Sequence, residues 1–98
     1  MTIHETREND KLTIALEGRL DTVTAPELEA ALKNHLPAIT ALTIDLEKLD
    51  YISSAGLRVL LYAHKALQDK EGLTIRNANE LVQEVFDVTG FTDILNIE

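Results

Sequence analysis

The sequence contains no cysteine and no tryptophan, and only two tyrosines and two phenylalanines. The absence of cysteine excludes disulfides, thiolate catalysis and cysteine-based zinc sites. Because aromatic side chains are so few, the core must be built from aliphatic residues. Hydrophobic residues nevertheless make up 45% and charged residues 27% of the chain, a balance typical of a folded globular protein.

Basic residues are also scarce, since 9 lysines and arginines face 17 aspartates and glutamates, giving a net charge of −8. This balance argues against binding to nucleic acid or to an anionic membrane and favours partners with a basic surface. The N-terminal segment MTIHETREND lacks the apolar region of a signal peptide, and no apolar run approaches membrane length. We therefore expect a cytoplasmic protein without membrane insertion.

At 98 residues the chain has room for one core only, and we predict a single domain over residues 1–98. No repeats, linkers or low-complexity segments interrupt it. The three histidines, His4, His35 and His64, fall on different predicted elements without the close spacing of metal ligands, so no metal site is predicted.

The segment from Leu42 to Ala66 combines an apolar strand pattern, a short polar break and a long helical pattern. The alternation around Ile44 predicts a strand, and leucines at helical spacing from Leu57 onward predict a helix of about four turns. The intervening Ser53-Ser54-Ala55-Gly56 places one of the two serines at the helix N-cap. The segment is therefore the centre of the predicted fold.

The hydroxyls of these serines lie at the positive end of the predicted helix, where unpaired N–H groups and the helix dipole favour added negative charge. Gly56, without a Cβ, would let a backbone or a phosphate approach those N–H groups. A serine before an apolar helix is most often an ordinary cap, and local chemistry alone favours that interpretation.

The N-terminal third predicts a hairpin followed by a helix. The strands are Thr2–Thr6 and Lys11–Glu17, and Gly18 is expected to end the second strand. A capping box of Thr24 with Glu27, and a hydrophobic staple of Val23 with Leu28, would start a helix that runs to about His35.

The C-terminal third predicts a short strand over Leu73–Arg76 and a third helix that Asn77 or Asn79 caps and Gly90 ends. Its inward residues would be Leu81, Val82, Val85 and Phe86, and Phe91 to Leu95 would add one helical turn. Together these elements predict an α/β fold with a mixed sheet of four to five strands. An antiparallel N-terminal hairpin precedes parallel strands, joined by right-handed crossovers, and three to four helices.

The sequence lacks the motifs of the enzyme classes that its serines and glycines could suggest. The G-x-S-x-G elbow of serine hydrolases is missing, and His64 would lie about 15 Å from Ser54 along the same helix, too far to activate it. The Walker-type loop is also absent.

Asp21, Asp45 and Asp50 could form an acidic cluster near the serines or simply cap turns. Arg58 could pair with a phosphate or with a nearby acid.

Three motifs, in order, resemble the STAS domains of bacterial anti-sigma factor antagonists. They are Leu16-Glu17-Gly18-Arg19-Leu20-Asp21 with Thr24-Ala25, then Leu46 to Leu61 around Tyr51-Ile52-Ser53-Ser54-Ala55-Gly56-Leu57, then Val85-Phe86 to Gly90-Phe91. The resemblance implies the STAS fold and a non-enzymatic regulator. It covers nearly the whole chain.

The resemblance also implies a partner switch. The unmodified antagonist binds an anti-sigma factor serine kinase, the kinase phosphorylates a serine at the start of the central helix, and a PP2C-like phosphatase removes the phosphate. Ser54 matches the acceptor position, with Ser53 as second choice because it stands where the family commonly has Asp. ATP and magnesium belong to the kinase, so no cofactor is expected in this chain.

The expected partner-binding residues surround this position: Asp21, Thr22, Ser53, Ser54, Ala55, Gly56 and Arg58. Two other functions remain open from the sequence. One is a STAS scaffold or regulatory subunit of a transporter-associated or stressosome-like assembly, whose serine is never phosphorylated. The other is a nucleotide-binding sensor.

Overall fold

The computed structural model describes all 98 residues and contains five strands and three α-helices. In chain order they are β1 (Thr2–Glu8), β2 (Lys11–Leu20), α1 (Ala25–His35), β3 (Ala41–Ile52), α2 (Ser54–Leu67), β4 (Gly72–Arg76), α3 (Glu80–Thr89) and β5 (Asn96–Ile97). Short 3₁₀ turns follow α1 at Leu36–Ala38 and α3 at Phe91–Asp93. No helix has both the length and the hydrophobicity needed to cross a bilayer.

The strands lie in sequence order, β1-β2-β3-β4-β5, with β1 and β2 antiparallel and every later pair parallel. This arrangement confirms the predicted mixed sheet. Alternate residues of β2, β3 and β4 are buried, including Ile14, Ile44 and Ile75, each fully covered. The opposite face carries polar residues such as Thr13, paired in register with Thr43. One face of the sheet therefore holds the core and the other faces solvent.

The core is aliphatic, as the composition predicts: Phe86 is the only aromatic residue among the 24 buried hydrophobic residues. No polar or charged residue is buried. Every buried side chain consequently contributes through apolar area and packing alone.

Strand β2 continues beyond the predicted end at Gly18 and reaches Leu20. Gly18 adopts a φ of +106° at a shift in the register between β2 and β3. Gly18 therefore lies inside the strand rather than ending it, because its missing Cβ permits the positive φ found there. The extra residue of the bulge belongs to β3: Asp50 lies between Leu49, opposite Gly18, and Tyr51, opposite Arg19. The extension carries Leu20 to the end of β3, where it pairs with Ile52.

Helix α1 spans the predicted residues, but its predicted start is wrong in detail. Thr24 occupies the N-cap position without a side-chain capping bond to the helix. Val23 is 82% exposed while Leu28 is fully buried, so the two form no hydrophobic staple. The turn before the helix is held by a different set of hydrogen bonds, described below.

Helix α3 is capped by Asn79, whose side chain accepts a hydrogen bond from Val82 N at 2.8 Å, and ends at Gly90 in the left-handed conformation. Both ends agree with the prediction. Val82 and Phe86 are buried as expected, but Leu81 is 51% exposed. The prediction of four to five strands gave no residues for a fifth. Strand β5 is that fifth strand, and it forms a short edge of the sheet by pairing with β4.

Candidate functional site

Ser53 lies immediately after β3, at the carboxyl end of the parallel strands, and is the N-cap of α2. Its backbone N–H donates to Leu20 O at 2.9 Å, which joins the start of the helix to the end of β2. Its Oγ accepts from Gly56 N at 3.5 Å, a long capping bond. The half-buried Ser53 side chain therefore already has a structural role.

Ser54 is the first residue of α2 and its side chain is exposed. The N–H groups of Ser54 and Ala55 donate to no protein acceptor, as expected for the first turn of a helix. The Ser54 hydroxyl therefore stands at the positive end of a 14-residue helix. This environment tolerates an anion well.

Gly56 is buried, and of the two close approaches predicted for it, by another part of the chain or by a phosphate, the structure shows the first. A Cβ at Gly56 would lie 2.7 Å from Leu20 Cγ and 2.9 Å from Ile52 Cγ1, so the open side of the glycine faces the core. The first turn of α2 rests directly on the last residues of β2 and β3. Gly56 is required for this close packing between helix and sheet.

Asp21 and Thr24 hold the turn between β2 and α1. The Asp21 carboxylate accepts from the backbone N–H of Val23 at 3.0 Å and of Thr24 at 3.1 Å. Thr24 Oγ1 accepts from Asp21 N at 2.9 Å and donates to Arg19 O at 2.7 Å. This reciprocal pairing stands in place of the predicted capping box of Thr24 and Glu27.

The same hydrogen bonds affect the titration of Asp21. The backbone N–H of Thr24 is the largest cause lowering the pKa of Asp21, and desolvation, the next largest, opposes it. The backbone N–H of Val23, the Thr24 hydroxyl and the positive charge of Arg19 lower the pKa further. A carboxyl with a lowered folded-state pKa stabilises the fold above its unfolded pKa of about 3.9 and loses that contribution as the pH falls through the folded value.

We therefore expect the free energy of unfolding of Asp21→Asn to depend less on pH, in the acidic range, than that of wild type. Wild type should exceed the variant in urea midpoint at pH 7, and the difference should shrink as the pH falls below about 4. Equilibrium urea unfolding between pH 7 and pH 3 measures this. The control is Asp69→Asn, an exposed aspartate that accepts no hydrogen bond. A pH-independent difference between wild type and Asp21→Asn would contradict the assignment.

Arg19 and Tyr51 flank this region, and neither is among the site residues predicted from the sequence. The two residues are paired in register on β2 and β3, and Arg19 Cζ lies 4.5 Å from the centre of the Tyr51 ring. Arg19 Nε also lies 3.7 Å from Asp21 Oδ2. Their proximity depends on the register shift at Gly18, which the local sequence pattern does not encode.

Arg58 is exposed, four residues after Ser54, and makes no ion pair with an acid. It borders a shallow groove of about 230 Å³ between α1 and α2, lined by Thr22, Ala25, Pro26, Glu29, Ala55, Arg58 and Val59. The groove joins Thr22, in the turn before α1, to Ala55 and Arg58 of α2. The structure thus brings the predicted partner-binding residues to one end of the molecule.

The acidic cluster of Asp21, Asp45 and Asp50 does not form. Asp45 lies seven residues before Ile52 in the extended β3, about 23 Å along the strand, so it is far from the serines. Its carboxylate accepts instead from Glu47 N and from Asn77 Nδ2, each at 3.0 Å. A larger depression of about 330 Å³ includes Asp45, but it lies around His4 and Glu17 on the open sheet face, away from Ser54.

The chain matches a family model described as "Mlab, STAS domain" over residues 3–96. It is 38% identical over 88 residues to BtrV of Bordetella bronchiseptica, which is assigned to the anti-sigma factor antagonists; the match covers 88% of this chain and 76% of BtrV. It is 31% identical over 94 residues to the anti-sigma-B factor antagonist of Listeria monocytogenes, covering 94% and 82% of the two chains.

The fold is that of a solved antagonist. The unphosphorylated form of SpoIIAA superposes with a TM-score of 0.85 at 20% identity, over 99% of this chain and 88% of the other. The phosphorylated form of this Bacillus cell fate determinant superposes with a TM-score of 0.77 at 19% identity, over 99% and 91%. At this identity the likeness concerns the fold.

Proposed function

The chain belongs to the STAS domain family of anti-sigma factor antagonists, and from this premise we propose that it acts in a phosphorylation-controlled partner switch. Its unmodified form binds an anti-sigma factor serine kinase, and phosphorylation releases it. The observation that carries the proposal is the exposed Ser54 hydroxyl on the first turn of α2, beside two N–H groups without protein acceptors. The phosphorylated form of SpoIIAA shows that a protein of this fold carries the modification.

Ser54 is the acceptor in this proposal, and Ser53 is the second choice. The Ser54 side chain is exposed, whereas Ser53 is half-buried and its Oγ already accepts from Gly56 N. A kinase must reach the acceptor oxygen and remove its proton, so the exposed hydroxyl is the better substrate. The kinase supplies ATP and magnesium, and this chain contributes the nucleophile.

The added phosphate would act on the interface rather than on the fold. It carries about −1.5 to −2 charges at neutral pH. The helix N-terminus accommodates this charge, and Arg58, one turn further along α2, lies on the same side of the helix. At a kinase surface that fits the neutral hydroxyl, the same charge introduces repulsion and unpaired polar groups. A PP2C-like phosphatase would restore the binding form.

The test is incubation of the purified protein with an anti-sigma factor kinase from the same genome, ATP and magnesium, followed by intact-mass and peptide mass spectrometry. We expect one added phosphate in wild type and in Ser53→Ala, and none in Ser54→Ala. Phosphate on Ser53 in the wild type would transfer the acceptor role to that residue. Binding of the kinase without any phosphorylation would contradict the switch.

A non-phosphorylated scaffold or regulatory subunit is the second candidate, and one observation favours it. The cap formed by Ser53 and the packing of Gly56 give these two motif residues structural roles that need no phosphate. In such an assembly the patch around Asp21, Thr22, Ala55 and Arg58 would bind its partner permanently. Kinase-independent complex formation that Ser54→Asp leaves unchanged would support the scaffold over the switch.

A further inference from the structure

Helix α3 presents an apolar stripe to solvent in addition to its buried face. Leu81 is 51% exposed and Val88 is 76% exposed. They are seven residues apart, about 10 Å along the helix, and the half-buried Val85 lies between them at helical spacing. The core accounts for Val82 and Phe86 but not for Leu81 and Val88. These three residues, Leu81, Val85 and Val88, form the α3 stripe.

The charge around the α3 stripe has a single sign. Glu80, Glu84 and Asp87 are exposed on the same helix, and residues 77–98 contain no lysine or arginine. None of these three carboxylates forms an ion pair. Asp87 accepts hydrogen bonds from Thr92 and Gln83, which fix it in place on the helix surface. The stripe is therefore apolar with an unneutralised acidic border.

This border determines what can cover the stripe. A second copy of the chain would bring the same carboxylates against one another, and an anionic membrane would repel them. A helix with apolar residues on one face and lysines or arginines beside them would satisfy both features, burying Leu81 and Val88 and pairing with the glutamates.

We propose that the α3 stripe is a docking surface for an amphipathic helix with basic flanks from a protein partner. The α3 stripe shares no residue with the predicted partner-binding residues Asp21, Thr22, Ser53–Gly56 and Arg58. Helices α1 and α2 pack against each other, whereas α3 packs on β3 and on the 3₁₀ turn at Phe91–Asp93. The proposal therefore goes beyond the phosphorylation switch and does not depend on it. Binding here would continue whether or not Ser54 is modified.

The test is an NMR titration of the ¹⁵N-labelled protein with a synthetic 18-residue helical peptide of leucine on one face and lysine on the other. We expect saturable amide shifts concentrated in residues 80–93. The double variant Leu81→Gln/Val88→Gln should weaken binding at least tenfold. Glu84→Lys, which keeps the apolar residues, should weaken it as well because it reverses one border charge.

Val23→Gln is the matched control, because Val23 is also an exposed valine, at 82%, but lies before α1. It should leave peptide affinity unchanged. A peptide of the same charge with glutamine in place of leucine should not bind. The proposal is overturned if that peptide binds equally well, if the shifts lie outside α3, if the double variant binds like wild type, or if the leucine peptide does not bind at all.

Discussion

Gly56→Ala is expected to lower the free energy of unfolding by about 1 to 3 kcal/mol, the usual cost of inserting a carbon into a well-packed core. For a domain of this size the melting temperature should fall by roughly 4 to 8 °C per kcal/mol. Helix propensity alone predicts the opposite sign, a gain of about 1 kcal/mol for Ala over Gly. Packing prevails because the new Cβ would meet Leu20 Cγ at 2.7 Å and Ile52 Cγ1 at 2.9 Å, and both residues are buried.

A double-mutant cycle with Leu20→Ala identifies the cause. Leu20→Ala alone should cost about 2 to 5 kcal/mol because it leaves a cavity. In that background the methyl group of Gly56→Ala no longer meets Leu20, whereas its contact with Ile52 Cγ1 remains, so its cost should fall without vanishing, giving a coupling energy of about 1 to 2 kcal/mol. Thermal and urea unfolding of the four proteins provide the measurement. A stabilised Gly56→Ala single variant would show that the helix can move away from the sheet at no cost.

Ser54→Asp is expected to weaken binding to the kinase about a hundredfold, or roughly 3 kcal/mol, while leaving the domain folded. The binding loss rests on the proposed function, whereas the intact fold follows from the site itself. The substitution adds a charge to an exposed position at the positive end of α2, where it should change stability by no more than about 1 kcal/mol, in the favourable direction. Calorimetric titration with the kinase and amide hydrogen exchange measure the two effects.

Ala66→Glu is the matched control, because it adds the same charge at an exposed position of the same helix, about 18 Å further along. Its kinase affinity should stay within about threefold of wild type, since exposed charges at that distance are largely screened. Equal loss in both variants would assign the effect to net charge rather than to position 54. Widespread loss of amide protection in Ser54→Asp would contradict a rigid domain.

The elements of this fold follow closely from local patterns. The hairpin, the central strand and its four-turn helix, and the third helix between Asn79 and Gly90 each have a periodic apolar face and recognisable end residues. These signals depend on residues within one or two turns of one another, so a single sequence contains them. The serine pair at the start of α2 belongs to the same class of local information.

Apart from the start of α1, where the predicted capping box and staple do not form, the errors concern contacts between distant segments. Gly18 was predicted to end β2, yet β2 continues through it, and a bulge in β3 at this level brings Arg19 opposite Tyr51. Asp45 was grouped with Asp21, but β3 continues to Ile52 and separates them. The register and the length of a strand depend on the neighbouring strand to which it is hydrogen-bonded. The sequence of one strand alone does not specify how that neighbour aligns with it.

The sequence by itself determined that this is an acidic, cysteine-free α/β domain with a hydroxyl pair at the start of its central helix, because composition, periodicity and capping residues act locally. Only the tertiary structure decided that Gly56 serves the core, that Asp21 and Thr24 hold the turn before α1, and that Leu81 and Val88 remain uncovered. The roles of Gly56, Leu81 and Val88 depend on which surfaces meet when the helices pack on the sheet, whereas the Asp21–Thr24 pairing is local and was decided by the backbone path of the turn. Which face of an element is buried depends on the packing of the whole chain, because burying one face leaves another exposed.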